Sequence, residues 1–158
     1  MQNGFIKVAA AIPSVRVADC AYNIQQIENM MAMADGQGAE MSCCPEQSGT
    51  AYTCQDLFQQ QRLLDEAEAS LLKILECSLG LSITAIIGVP LACENRLFNC
   101  AAVIQKGRIY GIVPKTFLPN YREFYEQRWF TSAAMLGEGR EVRFCGQSVP
   151  LSNRLLFT

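Results

Sequence analysis

The chain has 158 residues, half of them hydrophobic and 18% charged, with a formal net charge of −2; this is the profile of one globular domain with a sizeable core. Its 13 lysines and arginines are scattered, which argues against a nucleic-acid binder and for small molecules or proteins as partners. With no histidine present, Ser-His-Asp and Cys-His catalytic sets are excluded, the usual zinc ligand sets cannot be assembled, and no metal is expected.

In chain order, "FIKVAAAI" (5–12) alternates, with Ile6, Val8, Ala10 and Ile12 on one side, and reads as a strand stopped by Pro13. This apolar run is too short for a signal-peptide core or a membrane span, so the chain is expected to be cytoplasmic. From Tyr22 the period changes: Ile24, Ile27, Met31 and Ala34 fall at helical spacing before Gly36 and Gly38. "AEMSCC" (39–44) is expected as a second strand by position, although it lacks β-branched residues. Asp56 to Cys77 reads as an amphipathic helix with Leu57, Leu64, Ala67, Leu71, Ile74 and Leu75 on its apolar face.

"ITAIIGVPL" (83–91) is nearly continuous in apolar residues, as expected of a strand covered on both faces. "RLFNCAAVIQ" (96–105) and "RIYGIVP" (108–114) flank Lys106-Gly107, a two-residue hairpin link. "NYREFYEQRWF" (120–130) reads as a short helical turn, and residues 141–157 as strand segments broken by Gly146 and Pro150. This order predicts an α/β fold in which helices cover one face of a mixed sheet. The eight cysteines include no Cys-x-x-Cys pair and several lie in apolar runs, so most are read as buried reduced thiols.

Two charged residues stand at strand ends, Glu46 after the second strand and Lys115 after "IYGIVP". Paired, they would reduce each other's desolvation cost at the edge where α/β proteins generally hold ligands. Their carboxylate and ammonium are therefore expected within roughly 2.7 to 4 Å of each other.

The segments "CPEQSGTAYTCQDLF", "IIGVPL" and "LFNCAAVIQKGRIYGIVPKTFLPNYREFYEQRWF", with the "FIKVAAAIP" start, resemble the amino-terminal glutaminase domain of glutamine-dependent NAD synthetases. That family is a branch of the nitrilase, or carbon–nitrogen hydrolase, superfamily. The resemblance spans essentially the whole chain and is most specific from Pro114 to Phe130. It implies a nitrilase-like αββα four-layer sandwich, incomplete at the C-terminus, and a Cys-Glu-Lys catalytic set that works without histidine. It also implies roles for individual residues: Glu46 as general base, Lys115 as oxyanion stabiliser, Glu123 as a second, supporting glutamate, and Tyr52 and Tyr121 as lining of the glutamine pocket. Core packing with a satisfied hydroxyl is the competing reading for both tyrosines.

The family's nucleophile lies in a Glu-x-Cys segment on a later strand, and none of the eight cysteines here has that context. The resemblance thus implies a partial glutaminase domain over residues 1–158, inactive alone. Its partners would be glutamine, a synthetase domain in the same full-length chain and further copies in a homo-oligomer, with neither nucleic acid nor membrane. No cofactor is implied for the glutaminase domain; ATP and Mg would belong to the synthetase domain, whose Ser-Gly-Gly-x-Asp-Ser loop this sequence lacks. The chain departs from the family pattern at Cys44, where phenylalanine is usual, at Ala51, where the Thr-Gly-Tyr turn has glycine, and at Gln47 and Gly49, where apolar residues are usual. The alternatives are a non-catalytic remnant serving as an oligomerisation or binding module, and a stand-alone amidase fragment of the same superfamily.

Overall fold

Apolar residues at helical spacing do fold as a helix in the computed structural model, which describes residues 4–137 and 139–157. Helix α1 (Cys20–Gly36) buries Ile24, Ile27, Met31 and Ala34, and the Asp19 side chain accepts a hydrogen bond from Tyr22 N at its start. The second helix begins later than its periodicity predicts. Residues Tyr52–Gln59 form 3-10 turns interrupted at Gln55 (φ 52°, ψ −129°), Gln60 is extended, and α2 runs from Gln61 to Ser78. Gln60 breaks the continuous helix expected from Asp56, and the 3-10 turns let Cys54 and Phe58 reach a separate small core with Phe130.

Among the described residues seven strands form one sheet in the order β1-β2-β3-β4-β5-β7-β6. Strands β1 (Val8–Ala10), β2 (Met41–Cys43) and β3 (Thr84–Cys93) are parallel, as two helical crossovers require. Antiparallel β4 (Arg96–Gln105) and β5 (Arg108–Pro114) follow, then the hairpin β6 (Arg140–Phe144) and β7 (Gln147–Leu151), which joins β5 in parallel at Ile112–Leu151. Glu94-Asn95, Lys106-Gly107 and Cys145-Gly146 link the hairpins with φ between 49° and 75° at every residue. Positive φ at both central positions is the type I′ geometry that suits the right-handed twist of paired strands. The 120–130 segment, expected as a helical turn, is mostly irregular, with one 3-10 turn at Glu126–Arg128.

Alternation along the strands divides the molecule. Ala85, Ile87, Val89 and Leu91 of β3 and Phe98, Cys100, Ala102 and Ile104 of β4 are cross-strand neighbours and pack with Ile24, Ile27, Leu71 and Ile74 of the helices. Among the described residues no helix lies on the opposite face: Val8 and Ala10 lie beside Met41 and Cys43, and Val8 is 62% exposed. The alternating side Ile6, Val8, Ala10 and Ile12 is therefore the uncovered one, while Ala11 belongs to the core beneath the helices. The described residues supply one sheet and one helical layer, two of the four layers of the expected sandwich. No helix among them is long and apolar enough to cross a membrane.

Candidate active site

The Glu46 loop is shaped by four local features. Cys44 N still bonds to Ile86 O (2.9 Å), and Pro45, without an N–H, ends the ladder. Gln47 then adopts φ 51°, and Ser48 N and Thr50 N close turns onto Pro45 O and Gln47 O. The loop lies directly on β3 at Gly88, where a Cβ would stand 2.3 Å from Gln47 N. From behind, buried Asn23 of α1 donates to Gly49 O (3.1 Å) and Arg16 O (2.8 Å).

Lys115 leaves β5 with its N–H on Asn99 O (2.8 Å). Its ammonium meets Glu46 Oε1 at 2.7 Å and Glu126 Oε1 at 2.8 Å. The expected pairing of Glu46 with Lys115 is thus present. The second carboxylate paired with Lys115 among the described residues is Glu126, however, and not Glu123, which is exposed. The two glutamates lie three residues apart in an irregular segment, so periodicity gave no means of choosing between them. Glu126 is fixed by its own backbone, with its N–H on Pro119 O (3.1 Å) and its carbonyl accepting from Phe130 N (2.8 Å).

Glu126 is 1% exposed, Lys115 29% and Glu46 38%, so the cluster grades from a buried carboxylate to a solvent-facing one. Burial disfavours the Lys115 ammonium, but hydrogen bonds to Glu126 and Glu46 outweigh it and hold the lysine above its ordinary value. Tyr52 is half-buried and donates to Glu126 Oε1 at 2.8 Å. Burial, and then that hydrogen bond, push its phenol well up. Tyr121 is 64% exposed, and Phe124 stands between the tyrosines, 6.4 Å from the Tyr52 ring and 6.0 Å from the Tyr121 ring. Tyr121 lines an open cavity of about 630 Å³ with Thr116, Phe117, Leu118 and Phe130; the cavity begins one residue beyond Lys115, and the three charged residues do not line it.

Two buried amides complete the network, and neither was a candidate from the sequence. Asn99 Nδ2 donates to Glu46 Oε1 and, at 3.5 Å, to Glu126 Oε2, while Gln47 Nε2 donates to Asn99 Oδ1 at 2.7 Å. The available signal was a polar residue inside the apolar run "LFNCAAVI", since a buried amide in a strand needs specific partners.

The free valences define what the cluster can do. Among the described residues no hydrogen bond reaches Glu46 Oε2, and Lys115 uses two of its three N–H groups. One carboxylate oxygen can therefore take a proton beside an ammonium able to meet a developing negative charge. The thiols give no partner for this chemistry: none of the eight hydrogen-bonds to Glu46, Lys115 or Glu126. Burial pushes Cys20 and Cys44 up to about 11 and Cys145 up to about 12, and Cys100, next to Asn99 but on the helix side, higher still. A nucleophilic thiol requires the opposite shift.

No family model matches the chain. Individual relatives do. The chain is 35% identical over 156 residues to the glutamine-dependent NAD(+) synthetase of Mycobacterium tuberculosis strain H37Rv, a match that covers 99% of the chain and 23% of that protein. It is 37% identical over 86 residues to the synthetase of Aquifex aeolicus, covering 54% of the chain and 15% of the relative. The crystal structure of a glutamine-dependent NAD(+) synthetase from Cytophaga hutchinsonii superposes with a TM-score of 0.83 at 26% identity, over 97% of this chain and 26% of that one. By sequence the chain groups with the glutamine-dependent NAD synthetases, and its fold is that of the carbon–nitrogen hydrolases. An amidase from Nesterenkonia sp. shares that fold (TM-score 0.69, 19% identity), with 94% of this chain on 55% of the amidase. The chain spans about a quarter of the length of the synthetases it matches.

Proposed function

We propose that residues 1–158 form the base-and-lysine half of a glutamine-hydrolysing site, which supplies ammonia to NAD synthesis in a larger glutamine-dependent synthetase. The observation that carries this reading is the Glu46–Lys115–Glu126 cluster at the strand ends, at 2.7 and 2.8 Å, in a chain alike over 99% of its length to such synthetases.

In this reading Glu46 takes the proton of an attacking thiol through its free Oε2 and returns it to the leaving ammonia. Lys115 offers its remaining N–H to the oxygen of the tetrahedral intermediate, where a preset positive charge acts without reorganisation. Glu126, buried and held by Tyr52, keeps the ammonium in place. Tyr121 and the cavity beside it receive the substrate. The nucleophilic cysteine comes from outside residues 1–158, because none of the eight thiols here hydrogen-bonds to Glu46, Lys115 or Glu126, and burial pushes seven of them up. The synthetase domain and its ATP and Mg also lie outside them, and the protein works as a homo-oligomer in the cytoplasm.

Ammonia release from glutamine by the protein expressed from its whole reading frame tests the assignment. Glu46→Gln and Lys115→Met should each lower turnover by about 100-fold or more. Wild-type turnover in either variant would remove that residue from the chemistry. Turnover by residues 1–158 alone would overturn the external nucleophile.

A further inference from the structure

Alternation with Phe98 and Cys100 turns Asn99 to the uncovered face of β4, where it is 3% exposed between the two carboxylates. The direction of every bond around it follows from one end. Carboxylates only accept, so Nδ2 must face Glu46 and Glu126, which leaves Oδ1 for Gln47. Gln47, fully buried, must then present Nε2 to Asn99, which turns its Oε1 toward the Thr50 hydroxyl, whose one proton lies within reach of Gln47 O (3.3 Å), Gln47 Oε1 (3.4 Å) and Ala51 O (3.4 Å). Turning either amide over would set acceptor against acceptor in a place closed to water, so Gln47 and Asn99 together have one orientation.

Charge explains why a neutral donor stands there. Among the ion pairs of the described residues, Glu46 and Glu126 share one cation, Lys115, which leaves more negative than positive charge next to a carboxylate with 1% exposure. A second cation would take up Glu46 Oε2 or compete for Lys115. An amide offsets the repulsion through its N–H groups and adds no formal charge. The Gln47 side chain hydrogen-bonds to neither the carboxylates nor the lysine, so apart from the backbone it shares with Glu46, its side chain reaches the cluster through Asn99.

We propose that Asn99, locked by Gln47, is a positioning residue that sets the separation of Glu46 and Glu126 about Lys115 and leaves Glu46 Oε2 free. This rests on the glutamine-hydrolysing reading for its kinetic consequence and on the geometry alone for its structural one.

The test compares Gln47→Leu, Asn99→Leu and the double variant in the protein expressed from its whole reading frame. With glutamine, kcat should fall about 10-fold for Gln47→Leu and about 100-fold for Asn99→Leu, as an ångström of misplacement can cost. KM should stay within about twofold, and the double variant should be no slower than Asn99→Leu, because the first residue acts through the second. Wild-type kcat in folded Gln47→Leu overturns the proposal, and so does full additivity of the two losses, which is how independent packing defects behave. A crystal structure of the Gln47→Leu protein reads the geometry without turnover: Glu46 displaced beyond ion-pair reach of Lys115 supports the proposal, and an unchanged cluster overturns it. Should the unaltered protein release no ammonia from glutamine, the functional reading fails while that structure still decides the positioning role.

Discussion

Phe98 and Asn99 are consecutive in β4 yet belong to different surfaces. Phe98 is fully buried beneath the helices with Leu91 opposite it, and Asn99 faces the charged cluster on the side that no helix covers. On the first surface many apolar groups share the work, and each contributes by area removed from water. On the second, a few directed bonds hold charge in position, and each depends on its neighbours. One strand thus separates stability from chemistry by its two-residue period.

Truncation on the helix side should give the largest effect and spare the site. Phe98→Ala is expected to cost about 3–5 kcal/mol in urea unfolding, with Glu46 and Lys115 still paired in the crystal. A loss under about 1 kcal/mol, or a dispersed cluster, would break the separation. On the site side a single methyl group should do the reverse. In Gly88→Ala the new Cβ would stand 2.3 Å from Gln47 N and 3.0 Å from Glu46 C, both backbone atoms that cannot rotate away. The loop must lift, at a cost of about 1–3 kcal/mol, and the Glu46–Lys115 contact should be lost in the variant's structure. An intact contact would mean that the loop does not depend on the bare strand beneath it.

The same division governs how much the sequence discloses. The helix-side face was legible: the spacing of Ile24, Ile27, Met31 and Ala34, and the bounds of β4 and β5, follow from periodicity and from turn residues. So was the Glu46–Lys115 pair, because two charges ending apolar runs need each other. What escaped depends on chain paths without a period. Glu126 displaces Glu123 through the irregular 120–130 segment, and Gln55 and Gln60 split the second helix through backbone angles that side-chain patterns do not encode. Asn99 and Gln47 escaped because a buried amide is specified by its partners, which lie 52 residues apart in sequence.

A smaller effect, of opposite sign, is expected where the site loop carries strain. Ala51 sits at φ 73° and ψ 141°, a region costly for any residue with a Cβ, by about 1–3 kcal/mol. Ala51→Gly relieves that strain but gives up a buried methyl and loosens the unfolded chain, each about 0.5–1 kcal/mol. A net gain of about 0.5 kcal/mol in urea unfolding is expected. Destabilisation would show that the loop is at ease with alanine and that strain is confined to Gln47 and Gln55.

The smallest effect belongs to neither face. Asp56 accepts from Arg128 Nε (2.7 Å) and Nη2 (2.9 Å) and from Trp129 Nε1 (2.8 Å), tying the 3-10 segment that carries Tyr52 to the turn that carries Glu126. The Arg128 bonds, and then the indole N–H, hold its carboxyl down at about 2 against an ordinary 3.8. The folded state therefore binds the proton less readily than the unfolded one. The stabilisation from this tie is fully present above the ordinary value and is lost as pH falls through the folded one. Both partners are largely in water, so the difference in Tm between the protein and its Asp56→Asn variant should be small at pH 5 and shrink further toward pH 2. A difference that stayed constant over that range would mean the tie acts through shape and not charge. A difference as large as that of Phe98→Ala would place a main source of stability on the surface, where the two-face division allows none.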